Sequence, residues 1–466
     1  MDLIGRKHAI VVDLGYGDAG KGSTVDWLCS PGHTDSDTDS RTESRTDSRT
    51  DSRTASRIRA VVRFNGGAQA GHNVVTPDGR HHTFAQFGAG TFHGVPTHLS
   101  RFMLVEPFAL AAEAAHLAEL GIPNPFALLS ADSRALITTP YHRAANRVRE
   151  SARDRTPGST RHGTCGMGIG ETVSFSLAVS PDMPPRVGDC RDRATLVRKL
   201  TALRARIAAD LELSGLRLPA DLPSPEFCAD VYQAFAQRVR IVDEECGGYL
   251  AALLESGPCV FEGAQGVLLD EWYGFHPHTT WSTTTFANAE ALLKESGQEV
   301  ESAARLGVVR TYSTRHGAGP FVSEDAALAP TLPEPHNETG TWQGAFRIGH
   351  FDAVAHRYAL DVCGGADALV VTHADVRAKG RRLCRAYQAS ADVPAMEKLP
   401  RSLMPDLDYQ RLLTKTVSSC TPVYEDGPQD ERDWPDVIGQ ALGTPVGVVS
   451  SGPTWREKAA RLPCAK

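Results

Sequence analysis

The chain has 466 residues, 41% of them hydrophobic and 23% charged. That composition supplies a large apolar core, which excludes a disordered chain, a collagen and a small stapled domain. A formal net charge of -7 argues against nucleic-acid binding through a basic face. Ten cysteines without a CxxC pair read as reduced thiols. No run of 18 apolar residues occurs, and MDLIGRK leads directly into HAIVVDL. The expectation is therefore a cytoplasmic enzyme with no membrane segment and no signal peptide.

In chain order, residues 8–14 read as a buried strand, followed by a glycine-rich turn and a helix over 23–29. Residues 34–57 form a near-repeat of Arg/Asp-Thr-Asp/Glu-Ser with almost nothing apolar. Ordering such a tract costs roughly 1–2 kcal/mol per residue with no burial to offset it, so 30–58 reads as a low-complexity, disordered insertion. Beyond it, 60–64 reads as a strand and 106–120 as an amphipathic helix closed by Gly121 and Pro123. Helical patterns follow over 192–214 and 228–256, and strand patterns over 258–262, 305–311, 368–372 and 446–450. Segments 155–190, 312–345 and 421–445 read as Pro- and Gly-rich loops. Strands spaced among helices predict an α/β fold with a mostly parallel central sheet, helices on both faces and long functional loops. The whole of 1–466 reads as a single domain interrupted by the insertion.

The sharpest local signal is GYGDAGKG, Gly15 to Gly22, between a strand and a helix. Glycines let backbone N–H groups turn inward, the helix terminus adds positive potential, and Lys21 offers a cation to phosphate oxygens. The GxxxxGK spacing is that of a P-loop, with Gly22 where Ser or Thr ordinarily holds magnesium. Asp18 would repel a polyphosphate unless a metal bridges the two or the carboxylate acts as a base; alternatively it caps the turn. A second cluster, RFNGGAQAGHNVV (63–75), places Gln69, Gly71 and His72 together after a strand.

With GDAGKG, the GG-x-x-AGH stretch at 66–72, TCGMGIG (164–170), FEGAQGVLLD (261–270), TYSTRHGAGPF (311–321), THAD (372–375) and SSGP (450–453), the chain resembles adenylosuccinate synthetase in order and approximate spacing. The resemblance runs from residue 8 to about 457, leaving out the insertion. It implies a P-loop-NTPase-related fold, a homodimer, and a Mg2+- and GTP-dependent ligase of purine biosynthesis. That ligase joins IMP and L-aspartate into adenylosuccinate, GDP and phosphate through a 6-phosphoryl-IMP intermediate.

By motif, the resemblance implies Asp18 as the base toward purine N1 and His72 as the acid or hydrogen-bond donor that stabilises charge on the transferring phosphoryl. Asp18 and the Gly71 carbonyl would meet the metal. Gly17, Asp18, Ala19, Gly20, Lys21, Gly22, Gly71 and His72 would hold GTP phosphates. Asp375 would read guanine, with Ser451 and Gly452 either closing around the base or forming only a turn. Asp18, Gln69, Cys165, Gln265 and Thr280 would hold IMP. Thr341 and Arg347 belong to the loop that binds the amino acid.

Several positions depart from the family pattern. Ala19 replaces a glutamate, Gln69 an asparagine, Cys165 a threonine, Met167 an arginine, and His373 the lysine before Asp375. The arginine that reaches the partner's nucleotide has no clear equivalent, Arg186 being nearest. In GTWQGAFRIGHFD (340–352) Arg347 is the only arginine, and Arg315 and His316 stand as partial substitutes. These departures leave two further readings open: a paralogue that joins a different amine or uses a 2-amino-6-oxopurine nucleotide, and a nucleotide-binding regulator without turnover.

Overall fold

The computed structural model describes residues 6–31, 58–155, 163–244, 248–332, 334, 337 and 342–461. The 34–57 repeat and Thr341 lie outside the described residues. The central sheet contains, in chain order, β1 (His8–Asp13), β2 (Ala60–Arg63), β3 (Thr97–Leu99), β4 (Leu129–Asp132), β5 (Arg240–Val242), β6 (Cys259–Gly266), β7 (Ala303–Arg310), β8 (Ala368–Thr372), β9 (Val446–Ser450) and β10 (Lys458–Ala460). Their spatial order is β10-β9-β8-β7-β1-β6-β2-β3-β4-β5. Every pairing is parallel except β9 with β10.

β1 is the pivot of this order. After it the chain builds β2 to β5 toward one edge, returns to insert β6 beside β1, then builds β7 to β10 toward the other edge. Such a reversal opens a crevice at the carboxyl ends of the central strands, where an open α/β sheet places its ligands. All six residues of β1 are buried. Ala9 and Val11 enter one apolar cluster and Ile10 and Val12 the other, as strand alternation requires of a sheet covered on both faces.

The predicted strands and the helices at 106–120 and 192–214 are present, as Pro107–Glu119 and Arg193–Leu213. Glu106 caps the first by accepting from the N–H groups of Phe108 and Ala109, and Asp192 caps the second through Ala194. The continuous helix expected over 228–256 is instead Pro225–Ala236, strand β5 and Tyr249–Glu255. Here the apolar spacing suited either element, and Ile241 and Val242 gain pairing with β4. The expected loops also carry structure: helix Ile169–Ala178, strand Ser313–His316, strand Thr421–Asp426 and helix Trp434–Leu442. Each described cysteine is a free thiol, and no helix among the described residues is long and apolar enough to cross a membrane.

Burial leaves an acid-sensitive signature. It pushes His8, His72 and His98 down to about 4 and His142 down to about 3. In the unfolded chain these rings take protons near pH 6.5, whereas the folded chain refuses them until nearer pH 4. Stability is thus complete above about 6.5 and lost as pH falls toward 4, by up to about 1.4 kcal/mol per pH unit for each histidine. Melting temperature across this window is expected to drop steeply; a flat profile would contradict the neutral buried rings.

Candidate active site

The glycine turn grows out of β1 and is organised by its last residue. Asp13 is fully buried. Its Oδ1 accepts from the N–H groups of Gly15 (2.8 Å) and Gly17 (3.3 Å), and its Oδ2 from Ala19 N–H (2.8 Å) and Lys21 Nζ (3.3 Å). Lys21 also donates to the Gly17 carbonyl at 2.7 Å. One carboxylate therefore folds the turn and holds the lysine that opens helix α1 (Lys21–Cys29). The sequence reading missed Asp13; its only signal was a charged residue closing an apolar strand.

Because Asp13 takes the inner N–H groups, the Asp18 side chain is left outside the turn. It is 30% exposed, with His316 Nε2 at 3.5 Å as its salt-bridge contact. Arg310 fixes Asp18 from behind, donating to its carbonyl at 2.6 Å while pairing with Glu334 and bonding Tyr312. An accessible carboxylate is what a base or a metal ligand requires.

His72 begins the strand His72–Val75, which packs against α1. Its Nδ1 lies 2.6 Å from Glu262 Oε1, and Ala89 N–H donates to Glu262 Oε2 at 3.0 Å. Burial opposes ionisation of Glu262, but the charge of Arg63 and the hydrogen bonds from His72 and Ala89 outweigh it, holding the carboxyl below its ordinary value. An ionised Glu262 requires the proton on Nδ1, leaving Nε2 as a lone pair. That nitrogen is buried without a hydrogen-bond partner among the described residues. Glu262 stands in the FEGAQG motif, yet no role for it was legible before the pairing was seen.

Gly22 explains why this turn departs from the ordinary P-loop. A Cβ there would lie 2.7 Å from the His72 Cβ, so a serine at this position would push the imidazole away. Gly22→Ser is expected to cost about 1–3 kcal/mol of stability by overpacking and at least about tenfold in turnover through displacement of the imidazole. Paired melting and rate measurements check this; a fully active serine variant would show that the contact relaxes freely. Gly266 is more constrained, since its Cβ would fall 2.2 Å from the Gly15 carbonyl. The FEGAQG strand thus lies directly on the phosphate turn.

Of the expected acceptor-nucleotide residues, Gln69, Gln265 and Thr280 sit on segments that hydrogen bonds tie together. Asn65 exchanges two hydrogen bonds with the Ala264 backbone, and Gly66 N–H donates to Ser282 Oγ at 3.3 Å. These contacts tie the Gln69 turn to the strand of Gln265 and to the loop of Thr280. Gln265 sits at φ 59°, and its amide oxygen, like both amide atoms of Gln69, is buried without a partner among the described residues. Cys165 belongs to a loop held by helix Pro140–Arg155: Asn146 bonds Thr164 and accepts from Gly168 N–H, and Arg147 donates to the Gly166 carbonyl at 3.0 Å.

The loops expected to read the base meet at the ends of β8 and β9. Ala374 N–H donates to the Ser450 carbonyl (3.0 Å), and Thr372 Oγ1 donates to the Ala19 carbonyl (2.7 Å), joining these loops to the phosphate turn. Asp375 and Ser451 are exposed there, while Gly452 packs over the Glu457 carboxylate. His373 turns inward at φ 57°, edge-on to Tyr312, and burial holds its ring well below the usual histidine range.

Arg347, of the loop expected to bind the amino acid, and Arg315, its expected partial substitute on strand Ser313–His316, are both committed to internal partners. Arg347 pairs with Glu324 and donates to the Gly317 and Gly319 carbonyls. Arg315 is buried against the Tyr16 ring and donates to the carbonyls of Ala318, Pro320 and His278. It thereby packs against the glycine turn through Tyr16. Arg186 donates to the Arg134 carbonyl. Trp342 lies against Gly166 and beside Arg147, and Phe346 meets the His316 ring edge-on.

The family model for adenylosuccinate synthetase matches residues 50–459. The chain is 31% identical over 463 residues to adenylosuccinate synthetase of Alkalilimnicola ehrlichii, covering 97% of each chain. It is 30% identical over 480 residues to that of Halorhodospira halophila, covering 97% of this chain and 98% of the relative. Among solved structures, fully ligated adenylosuccinate synthetase from Plasmodium falciparum shares the fold with a TM-score of 0.77 at 20% identity, covering 98% of this chain and all of that one. Succinoaminodeoxyadenylate synthetase of cyanophage S-2L, solved with dGMP and dATP, aligns with a TM-score of 0.54 at 18% identity, over 98% of this chain and 95% of that one.

Proposed function

Since the chain belongs to the adenylosuccinate synthetase family of carbon–nitrogen ligases, we propose that it joins IMP and L-aspartate at the expense of GTP, as a cytoplasmic homodimer. The observation that carries this reading is a partly accessible Asp18 in the turn before helix α1, together with a buried His72 that lies against Gly22 in the first turn of that helix and whose Nε2 has no partner among the described residues.

The chemistry follows from what each group can hold. A 6-oxopurine is an amide, and its oxygen leaves poorly; phosphorylation turns that oxygen into a leaving group. Asp18 takes the N1 proton, which places negative charge on O6 for attack on the terminal phosphoryl. The helix amino terminus at Gly20 to Gly22 and the Lys21 ammonium stabilise the phosphate oxygens. His72 takes up a proton from water at Nε2 and donates that N–H to a phosphoryl oxygen as charge builds there, while Glu262 stabilises the imidazolium through Nδ1. The amine then displaces phosphate from C6.

Mg2+ fits this site as a cation held by one carboxylate, one backbone carbonyl and substrate phosphates. Asp18 is open, Gly71 is exposed, and no group of three or more metal-ligating side chains occurs among the described residues. When bound, it would neutralise phosphate charge between Asp18 and the Gly71 carbonyl. Asp375 favours GTP because guanine offers N1–H and a 2-amino group to a carboxylate.

A second reading, a family member that joins another amine, is favoured by the internal commitment of Arg347 and Arg315 and by the aromatic Trp342 and Phe346. Two carboxylates need guanidinium partners to recover their hydration. The deciding experiment is magnesium-dependent phosphate release with GTP or ATP, several 6-oxopurine monophosphates and a panel of amino acids. Release with IMP and aspartate together supports the first reading; release only with another acceptor or amine overturns it in favour of the second. Silence with every combination leaves only a nucleotide-binding regulator.

A further inference from the structure

Helix Pro140–Arg155 has a second ligand-sized feature on the face that turns toward residues 215–223. A cavity of about 670 Å³ lies there, separate from the phosphate turn, and Arg143, Arg147 and Arg217 line it. This volume falls within the range of small-molecule pockets, ~300–1,000 Å³. Val148, Leu216 and Pro223 supply an apolar wall. Arg143 and Arg147 stand one helical turn apart, an arrangement that destabilises a helix unless an anion lies between them. Asp221 is the single carboxylate of the lining. Among the described residues no carboxylate pairs with Arg143 or Arg217. Glu106, whose pKa feels Arg143, spends both oxygens on capping its own helix. The cavity therefore carries an excess of cationic forks beside a hydrocarbon surface, which is the chemistry that recognises a phosphate attached to an organic body.

We propose that this cavity binds a small phosphomonoester as an effector, its phosphate held by Arg143 and Arg217 and sensed by Arg147. Arg147 is the link because its Nε–H donates to the Gly166 carbonyl at 3.0 Å and its guanidinium lies 5.5 Å from the Trp342 ring. Drawing that guanidinium toward a bound phosphate moves the loop of Cys165. The consequence for catalysis rests on the reading of that loop as part of the acceptor-nucleotide site; the binding itself does not.

The test uses the full-length chain saturated with GDP and IMP, so that the nucleotide sites are filled. Calorimetry with ribose 5-phosphate is expected to show one equivalent bound, with inorganic phosphate weaker and ribose silent. Arg143→Ala/Arg217→Ala is expected to weaken the probe by at least about tenfold, since each charge-assisted hydrogen bond lost is worth that much, with turnover in the absence of probe unchanged. Arg217→Glu, at an exposed position, serves as the second variant should the double variant fold poorly, and should abolish binding. In the parent enzyme the probe should shift the KM for IMP at least about twofold with kcat unchanged. No binding to the parent, or equal affinity in the variants, overturns the site. A second copy of the chain covering the cavity in solution, seen as protection of Arg217→Cys from thiol labelling, overturns it too. Intact binding with an unmoved KM overturns the effector role. A chain that binds the probe but turns over no nucleotide supports the site and counts instead against the proposed ligase function.

Discussion

Asp18→Asn is expected to abolish turnover while leaving the nucleotide-binding turn in place. The amide is isosteric with the carboxylate but cannot take the N1 proton, and loss of a positioned base costs about 10²–10⁴-fold. The structure makes the substitution clean. The inner N–H groups of the turn are held by Asp13, and Lys21 is bonded to Asp13 and the Gly17 carbonyl, so no hydrogen bond that shapes the turn passes through the Asp18 carboxylate. Its contact at 3.5 Å is His316, and both side chains are partly accessible. Stability should therefore change by less than about 0.5 kcal/mol, as for surface substitutions. GTP affinity measured without magnesium should stay within a few-fold, and affinity with magnesium should fall by more. A variant that retains near-normal turnover would remove Asp18 from the base role and leave the turn as a phosphate cradle only.

Glu262→Gln is expected to damage both stability and chemistry. Glu262 is fully buried, accepts from His72 Nδ1 and Ala89 N–H, and stands in the field of the buried Arg63. Removing one partner of a buried charge pair costs about 3–5 kcal/mol, because the remaining charge is left uncompensated. The amide has only one oxygen for two donors, so its NH2 group meets either the ring or the Ala89 N–H. If the amide donates to Nδ1, the ring proton moves to Nε2, reversing the tautomer that the carboxylate imposes. Burial already pushes His72 down to about 4 against the pull of Glu262, and without that carboxylate the imidazolium is harder still to form. Turnover is expected to fall by about 10²-fold or more near neutral pH. Nitrogen-15 shifts of His72 report the tautomer directly. A variant with unchanged melting, tautomer and rate would detach Glu262 from the histidine's function.

These two results would separate roles that look alike in the amino-acid string. Asp13 and Asp18 are carboxylates of one glycine turn, five positions apart, and His72 and His373 both follow a strand. Only the fold assigns Asp13 to the backbone and leaves Asp18 partly accessible, or turns His373 into the protein beside Tyr312 while His72 faces α1.

What the sequence determined by itself was local. The apolar run HAIVVD, buried at every position, and the glycine turn with Lys21 before a helix were legible because strand alternation, positive-φ glycines and helix starts act over a few residues. So were the ordered motifs, whose strength lies in their succession along the chain. The span 228–256 marks the limit of such reading, since its apolar spacing suited either element and pairing of Arg240–Val242 with β4 decided between them. Tertiary structure alone decided who partners whom across hundreds of residues: His72 with Glu262, Arg310 with the Asp18 carbonyl, Thr372 with Ala19, and Arg347 with Glu324 rather than with open solvent. The physical reason is that a buried charge takes its character from the groups that replace its lost hydration, and those groups are chosen by the order of strands in the sheet rather than by neighbours in the chain.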